Sequence, residues 1–131
     1  MSHLVTVKTS IKDLDTLEVQ AKSLGCTLHR GRVDFKNFAN RRSNCSHAIS
    51  VDGNSKAYEI GLVDNTEGGY NLVYDMWNHG DGLEEKVGAQ CEKLVQGYVA
   101  RVAETNLRRQ GLQLRSTEQL ANGQIKVTFR R

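Results

Sequence analysis

Residues 45–77 read CSHAISVDGNSKAYEIGLVDNTEGGYNLVYDMW, and the fold is decided in this stretch. Cys45, His47, Ile49 and Val51 fall on one face of an extended chain, with Ser46, Ala48 and Ser50 on the other. Period-two alternation of this kind is the signature of a half-buried strand. The same spacing returns in residues 56–63 through Tyr58, Ile60 and Leu62, and a third run covers residues 70–77. Between them stand Asp52-Gly53-Asn54 and the segment Asn65 to Gly69, whose side chains tolerate the tight backbone of a turn. Proline is absent, so Gly, Asn and Asp must make every turn. Three strands joined this way form an antiparallel meander.

Toward the N-terminus, residues 4–9 are rich in β-branched side chains and predict a first strand with His3, Val5 and Val7 on its core face. Ser10-Ile11-Lys12-Asp13 has the capping-box form and predicts a helix starting at Ser10. Leu14, Leu17, Ala21 and Leu24 give that helix one apolar stripe, and Gly25 is placed to end it. Residues 26–29 open a second strand. The following stretch has no sustained period, so residues 31–45 read as a long basic loop with a short extended piece at residues 32–35. Loops of that length in a small domain are often functional.

Toward the C-terminus, Asn78 to Gly82 breaks the strand pattern. Leu83, Val87, Cys91, Leu94, Tyr98, Val102 and Leu107 then mark one long amphipathic helix over residues 83–110. Gly88 and Gly97 inside it weaken helix propensity by about 1 kcal/mol each, so close packing, a bend or a break is expected there. Residues 112–120 and 124–131 read as strands joined at Ala121-Asn122-Gly123, with Ile125, Val127 and Phe129 facing inward. The order β-α-β-β-β-α-β-β predicts an α+β protein: an antiparallel sheet with two helices on one face, a ferredoxin-like variant.

Composition agrees. The chain has 131 residues, 38% hydrophobic and 25% charged, which suits a single domain over 1–131 and excludes wholesale disorder. No apolar run reaches the roughly 18 to 20 residues of a membrane span, and Met1 to Ser10 lacks the form of a signal peptide. Three cysteines, odd in number and far apart, read as reduced thiols. A cytoplasmic protein is expected, with no membrane partner. Charge is uneven: Lys and Arg minus Asp and Glu gives 6 − 2 over residues 29–56, 2 − 8 over 57–100 and 7 − 2 over 101–131. Two basic blocks flank an acidic one, a pattern compatible with a polyanionic partner.

Met1-Ser2-His3, the run Thr9 to Leu14, Tyr58-Glu59-Ile60-Gly61-Leu62-Val63, the run Gly69 to Trp77 and Asn122-Gly123-Gln124-Ile125 together resemble the hypothetical chloroplast reading frame thirty-five family. These are small proteins of unknown function from cyanobacteria, plastids and cyanophages. Met76 and Trp77 stand where the family carries two aromatics, and the stretch Arg32 to His47 is longer and more basic, which marks a divergent member. The resemblance implies a photosynthetic-lineage setting and a non-secreted protein. It carries over no activity or catalytic residue.

Three sets of residues could carry chemistry. Arg30, Arg32, Lys36, Arg41 and Arg42, interleaved with Phe35 and Phe38, could grip single-stranded nucleic acid by neutralising phosphates and stacking on bases. The bland reading has the two rings pinning a solvated loop. Arg108 and Arg109 at the end of the long helix, with Glu84 and Glu85 near its start, are already explained by the helix dipole, which leaves Arg115, Lys126, Arg130 and Arg131 to extend a basic face. Cys26, His29, Cys45 and His47 have the atom types of a zinc site, though residues 26 and 29 point to opposite faces of a strand. His3, His47, Asp75 and His79 could serve acid-base chemistry, but no nucleophile elbow, carboxylate pair or phosphate loop accompanies them. Asp75 and Trp77 could instead close the strand structurally. With a complete core pattern and no convincing chemical motif, the sequence favours a non-enzymatic accessory protein. Its partner would be a macromolecule, foremost another protein, bound through an exposed sheet face or the long loop, and no cofactor is implied. Single-stranded nucleic acid binding through residues 29–47 ranks second, and a small enzyme using His3, His47 and Asp75 third.

Overall fold

The meander forms as its alternation predicts: β5 (His47–Val51), β6 (Ile60–Asp64) and β7 (Tyr70–Asp75) lie side by side. The structure, a computed structural model, describes residues 3–110 and, as backbone, the strands Gln113–Gln119 and Ile125–Arg130. β1 (Leu4–Ile11) adds to β7, and β2 (Cys26–Arg30) adds to β5. The result is a five-stranded sheet of order β1-β7-β6-β5-β2, antiparallel throughout. β1 and β2 are thus the two edges, and α1 (Leu14–Ser23) carries the chain between them. An α+β protein of the ferredoxin-like type is what these elements make.

One face of the sheet supplies Cys26, Leu28, Ile49, Val51, Ile60, Leu62, Leu72 and Tyr74 to a core completed by Leu17 and Ala21 of α1 and by Leu83, Val87, Cys91, Leu94 and Tyr98. Burying each Leu or Ile side chain contributes about 1.5 to 3 kcal/mol. Tyr98 also does polar work: its hydroxyl accepts the N–H groups of Lys12 and Asp13 at 3.1 and 3.0 Å, pinning the strand-to-helix junction. That junction departs from the capping box expected at Ser10. Thr9 Oγ1 donates to Tyr70 O at 2.6 Å and accepts from Ile11 N at 3.0 Å, so the strand runs on to Ile11. Asp13 becomes the cap, accepting from Thr16 N at 3.1 Å.

The long helix is broken. α2 (Asn78–Asp81) is a single turn in which Asn78, His79, Gly80 and Asp81 all have positive φ. α3 (Leu83–Val87) follows, then Gly88 at φ 84° and a 3-10 turn, Ala89–Cys91, before α4 (Glu92–Arg109). Gly88 is therefore a break, whereas Gly97 is a close approach, its α-carbon lying under the Gln20 side chain of α1. Gln20 is held there by a bond to Lys93 O at 3.2 Å and one from Arg101 Nε at 2.7 Å.

The expected loop over residues 31–45 is instead a small hairpin, β3 (Asp34–Lys36) and β4 (Arg42–Asn44), joined through a 3-10 turn at Phe38–Asn40. Short strands with charged side chains leave no periodic signal, which is why the pairing was invisible in the sequence. The hairpin covers the second face of the sheet, with the Phe35 ring seated directly on Gly61. Residues 56–59, expected to begin β6, stay outside the sheet. β8 (Gln113–Gln119) and β9 (Ile125–Arg130) pair as a separate antiparallel hairpin beside α4. The turn Ala121-Asn122-Gly123 and the side chains of Ile125, Val127 and Phe129 lie outside the described residues, as do the side chains of Arg115, Lys126, Arg130 and Arg131.

Candidate functional site

Asp75, the last residue of β7, points to the second face of the sheet and is fully buried. A buried carboxylate needs donors, and three backbone N–H groups supply them. Oδ1 accepts from Trp77 N at 2.9 Å and His3 N at 3.3 Å, and Oδ2 accepts from Phe38 N at 3.2 Å. Those three donors belong to three residues whose rings meet. His3 stacks on Trp77 with centroids 5.5 Å apart and planes 26° apart, and Phe38 meets Trp77 edge-on at 5.5 Å and 75°. A further bond, Met76 N to His3 O at 3.0 Å, fastens the start of the chain beside the end of β7.

The carboxylate thus gathers an aromatic corner from three parts of the chain. It is not a sealed core: Trp77 is 47% exposed, Met76 45% and Leu4 42%. Large side chains fixed in place yet open to water are the kind that anchor interfaces. Beside the corner runs β1, whose outer edge pairs with no strand among the described residues. Sequence reasoning singled out His3, Phe38, Asp75 and Trp77 under separate hypotheses; it missed Leu4, Met76 and their convergence. An apolar pair directly after a strand-ending aspartate was the available signal.

The basic set is largely engaged within the chain. Arg30 pairs with Asp15 at 2.6 Å, Arg42 pairs with Asp34 at 2.8 Å and reaches Glu59 at 3.6 Å, and Arg32 bonds Glu59 as well. Glu59 Oε1 also accepts Lys36 N at 2.8 Å. Among the described residues, Glu59 is the one member of the acidic block that pairs with the basic one. Arg41 is exposed and has no acidic partner among the described residues. Phe35 is only 1% exposed, so its ring pins the hairpin and is closed to a base.

Cys26 faces the core while His29, on the opposite face of β2, bonds Ser50 Oγ through Nε2 at 2.7 Å. Cys45 Sγ donates to Arg32 O at 3.2 Å. The Nδ1 atom of His47 accepts Gly31 N at 2.8 Å, so the proton of the neutral ring sits on Nε2, 3.3 Å from Tyr70 Oη. Among the described residues no group of three or more His, Cys, Asp or Glu is placed to hold a metal ion, and the four proposed zinc ligands do not converge. Of the acid-base candidates only His3 meets Asp75, and it does so through its backbone N–H rather than its ring. His47 belongs to the core face of β5 and Asp75 to the second face of β7, and both oxygens of Asp75 are committed to backbone donors. His79 pairs instead with Glu84 at 3.3 Å, a carboxylate that also accepts the Tyr74 hydroxyl at 2.5 Å.

No helix is long and apolar enough to cross a membrane among the described residues. The model of a family described as "Protein of unknown function (DUF1257)" matches residues 21–128. No curated protein and no solved structure matches the chain.

Proposed function

Because the chain belongs to the DUF1257 family, whose description names no activity, we propose from the site itself that it is a non-enzymatic accessory protein that docks another protein. The aromatic corner is the docking point, and the partner offers an extended apolar segment that lies along β1 and seats a side chain against Trp77. The observation that carries this reading is the exposure of Leu4, Met76 and Trp77 around a backbone locked by buried Asp75. Prefixed aromatic anchors bind without a large ordering cost. A free strand edge can add main-chain hydrogen bonds. The resemblance noted above directs the search to cyanobacterial or cyanophage-infected cells, with the protein in the host cytoplasm.

The test compares capture by wild-type chain, Trp77→Ala and Leu4→Lys after a check that all three fold. A partner whose retention drops about tenfold or more in both variants supports the corner, since anchor truncations cost about 2 kcal/mol or more. Equal capture by all three removes it. If the chain instead retains single-stranded nucleic acid, with affinity falling steeply in salt and lost in Arg41→Glu, the basic-segment reading replaces this one.

A further inference from the structure

We propose that a second site, a cleft between the β3–β4 turn and α2, binds a phosphomonoester. The cleft has a volume of about 280 Å³, close to the lower end of ligand pockets at about 300 Å³. Lys36, Asn40, Lys56, Tyr58 and Asp81 line it, none of which belongs to the aromatic corner. Its frame comes from the stretch 56–59, strand-like in sequence yet held off the sheet. Tyr58 N donates to Gly80 O at 3.0 Å, and Glu59 N donates to Lys36 O at 3.0 Å. The backbone that would have extended β6 therefore ties two loops together and leaves a gap between them.

Two features aim that gap at a ligand. Tyr58 is only 8% exposed, yet its hydroxyl bonds no protein group among the described residues. Every buried polar side-chain atom among them does have a partner, so this hydroxyl is open to the cleft. Three lining residues other than glycine, Ala39, Asn40 and Asp81, hold φ of 59°, 58° and 54°. Backbone kept in that region is costly and gathers at ligand sites.

The chemistry of the lining sets the class. Lys36, steadied by its bond to Ser55 O, and Lys56 supply two ammonium groups. The Tyr58 phenol and Asn40 amide add neutral donors. Burial, and after it the carboxylates of Asp75 and Asp81, push the phenol above its ordinary pKa, so it remains a donor. Several donors and two positive charges suit the three terminal oxygens of a phosphate monoester. Asp81 repels a bare anion and accepts from a ligand hydroxyl or amine, which favours the ester over inorganic phosphate.

The full chain is titrated with glycerol phosphate, a phosphoserine peptide, inorganic phosphate and sulfate, following amide shifts of Lys36, Asn40 and Tyr58. Saturable binding of glycerol phosphate or the peptide, tighter than sulfate, is expected, and the tighter of the two names the source of the ester. Tyr58→Phe and Lys56→Gln should each weaken it about ten- to hundredfold, the loss of one hydrogen bond to a charged group. No saturation by about 10 mM, weaker than the millimolar limit of useful affinity, overturns the site. So does sulfate or inorganic phosphate binding as tightly as either ester, or unchanged affinity in both variants.

Discussion

Asp75 shows how one side chain can organise distant parts of a chain. Its carboxylate is the common acceptor for the N–H groups of His3, Phe38 and Trp77, which are far apart in sequence. The charge matters because an acceptor-only group is needed. Asn has the same shape but turns an NH2 toward one of those donors. Asp75→Asn should therefore cost about 1 to 3 kcal/mol of stability, the penalty of leaving a buried donor unmade. The single tryptophan of the chain, Trp77, reports on the same event by its fluorescence. Urea unfolding of the variant at wild-type stability, with unshifted emission, would show that the corner forms without the carboxylate. In the sequence, Asp75 and Trp77 read as a strand end, which was sound, but the three-way convergence depends on contacts between residues about 40 to 70 positions apart. No local pattern encodes contacts of that range.

Among the elements, the departures from expectation share a backbone feature. Ala39-Asn40, the α2 turn and Gln90-Cys91 are all left-handed at residues other than glycine. An L-residue there is strained by roughly 1 to 2 kcal/mol relative to glycine. Ala39, with no polar side chain to bond its own backbone, has nothing local to offset that. Ala39→Gly should raise stability by about 0.5 to 1 kcal/mol, the relief less the added chain entropy of glycine. Gly88→Ala should do the reverse by about 1 to 3 kcal/mol, since at φ 84° the new Cβ would meet Glu92 Cγ at 2.6 Å. Thermal unfolding of the pair checks both signs, and a stabilised Gly88→Ala would mean that α3 and α4 can join as one helix. The strands and the amphipathic stripes were legible because burial repeats along them: Leu83, Val87, Leu94 and Tyr98 are buried on both sides of the break. The break itself was announced only by Gly88. Of the β3–β4 hairpin only the extended piece at residues 32–35, overlapping β3, was legible; its pairing is sealed by Phe35 against Gly61 and by arginines on Glu59 rather than by alternation.

Over the whole molecule, folding places two thiols in the interior. Cys26 from β2 and Cys91 before α4 are both fully buried, while Cys45 is half-buried. Burial is the leading cause that pushes the Cys26 thiol up to about 11 and the Cys91 thiol up to about 12. An unfolded thiol ionises near about 8.5. Between those values the folded state keeps a proton that the unfolded chain releases, so the unfolded state binds fewer protons and stability falls as pH rises. The stabilising effect of these thiols is complete below about pH 8.5 and is lost as pH climbs toward the folded values. For Cys91 the slope approaches about 1.4 kcal/mol per pH unit. Tyr74, raised chiefly by burial and next by its bond to Glu84, adds a further loss at higher pH. Urea midpoints measured from pH 7 to 10 should therefore decline in the wild type and decline about half as steeply in Cys91→Ala, where Cys26 still contributes, whatever the baseline cost of that substitution. In the native state a thiol reagent should label Cys45 first, with Cys26 and Cys91 following only at the rate of unfolding. An alkaline slope identical in wild type and Cys91→Ala, or labelling of all three thiols at one rate, would place Cys91 in contact with water and out of the shared core.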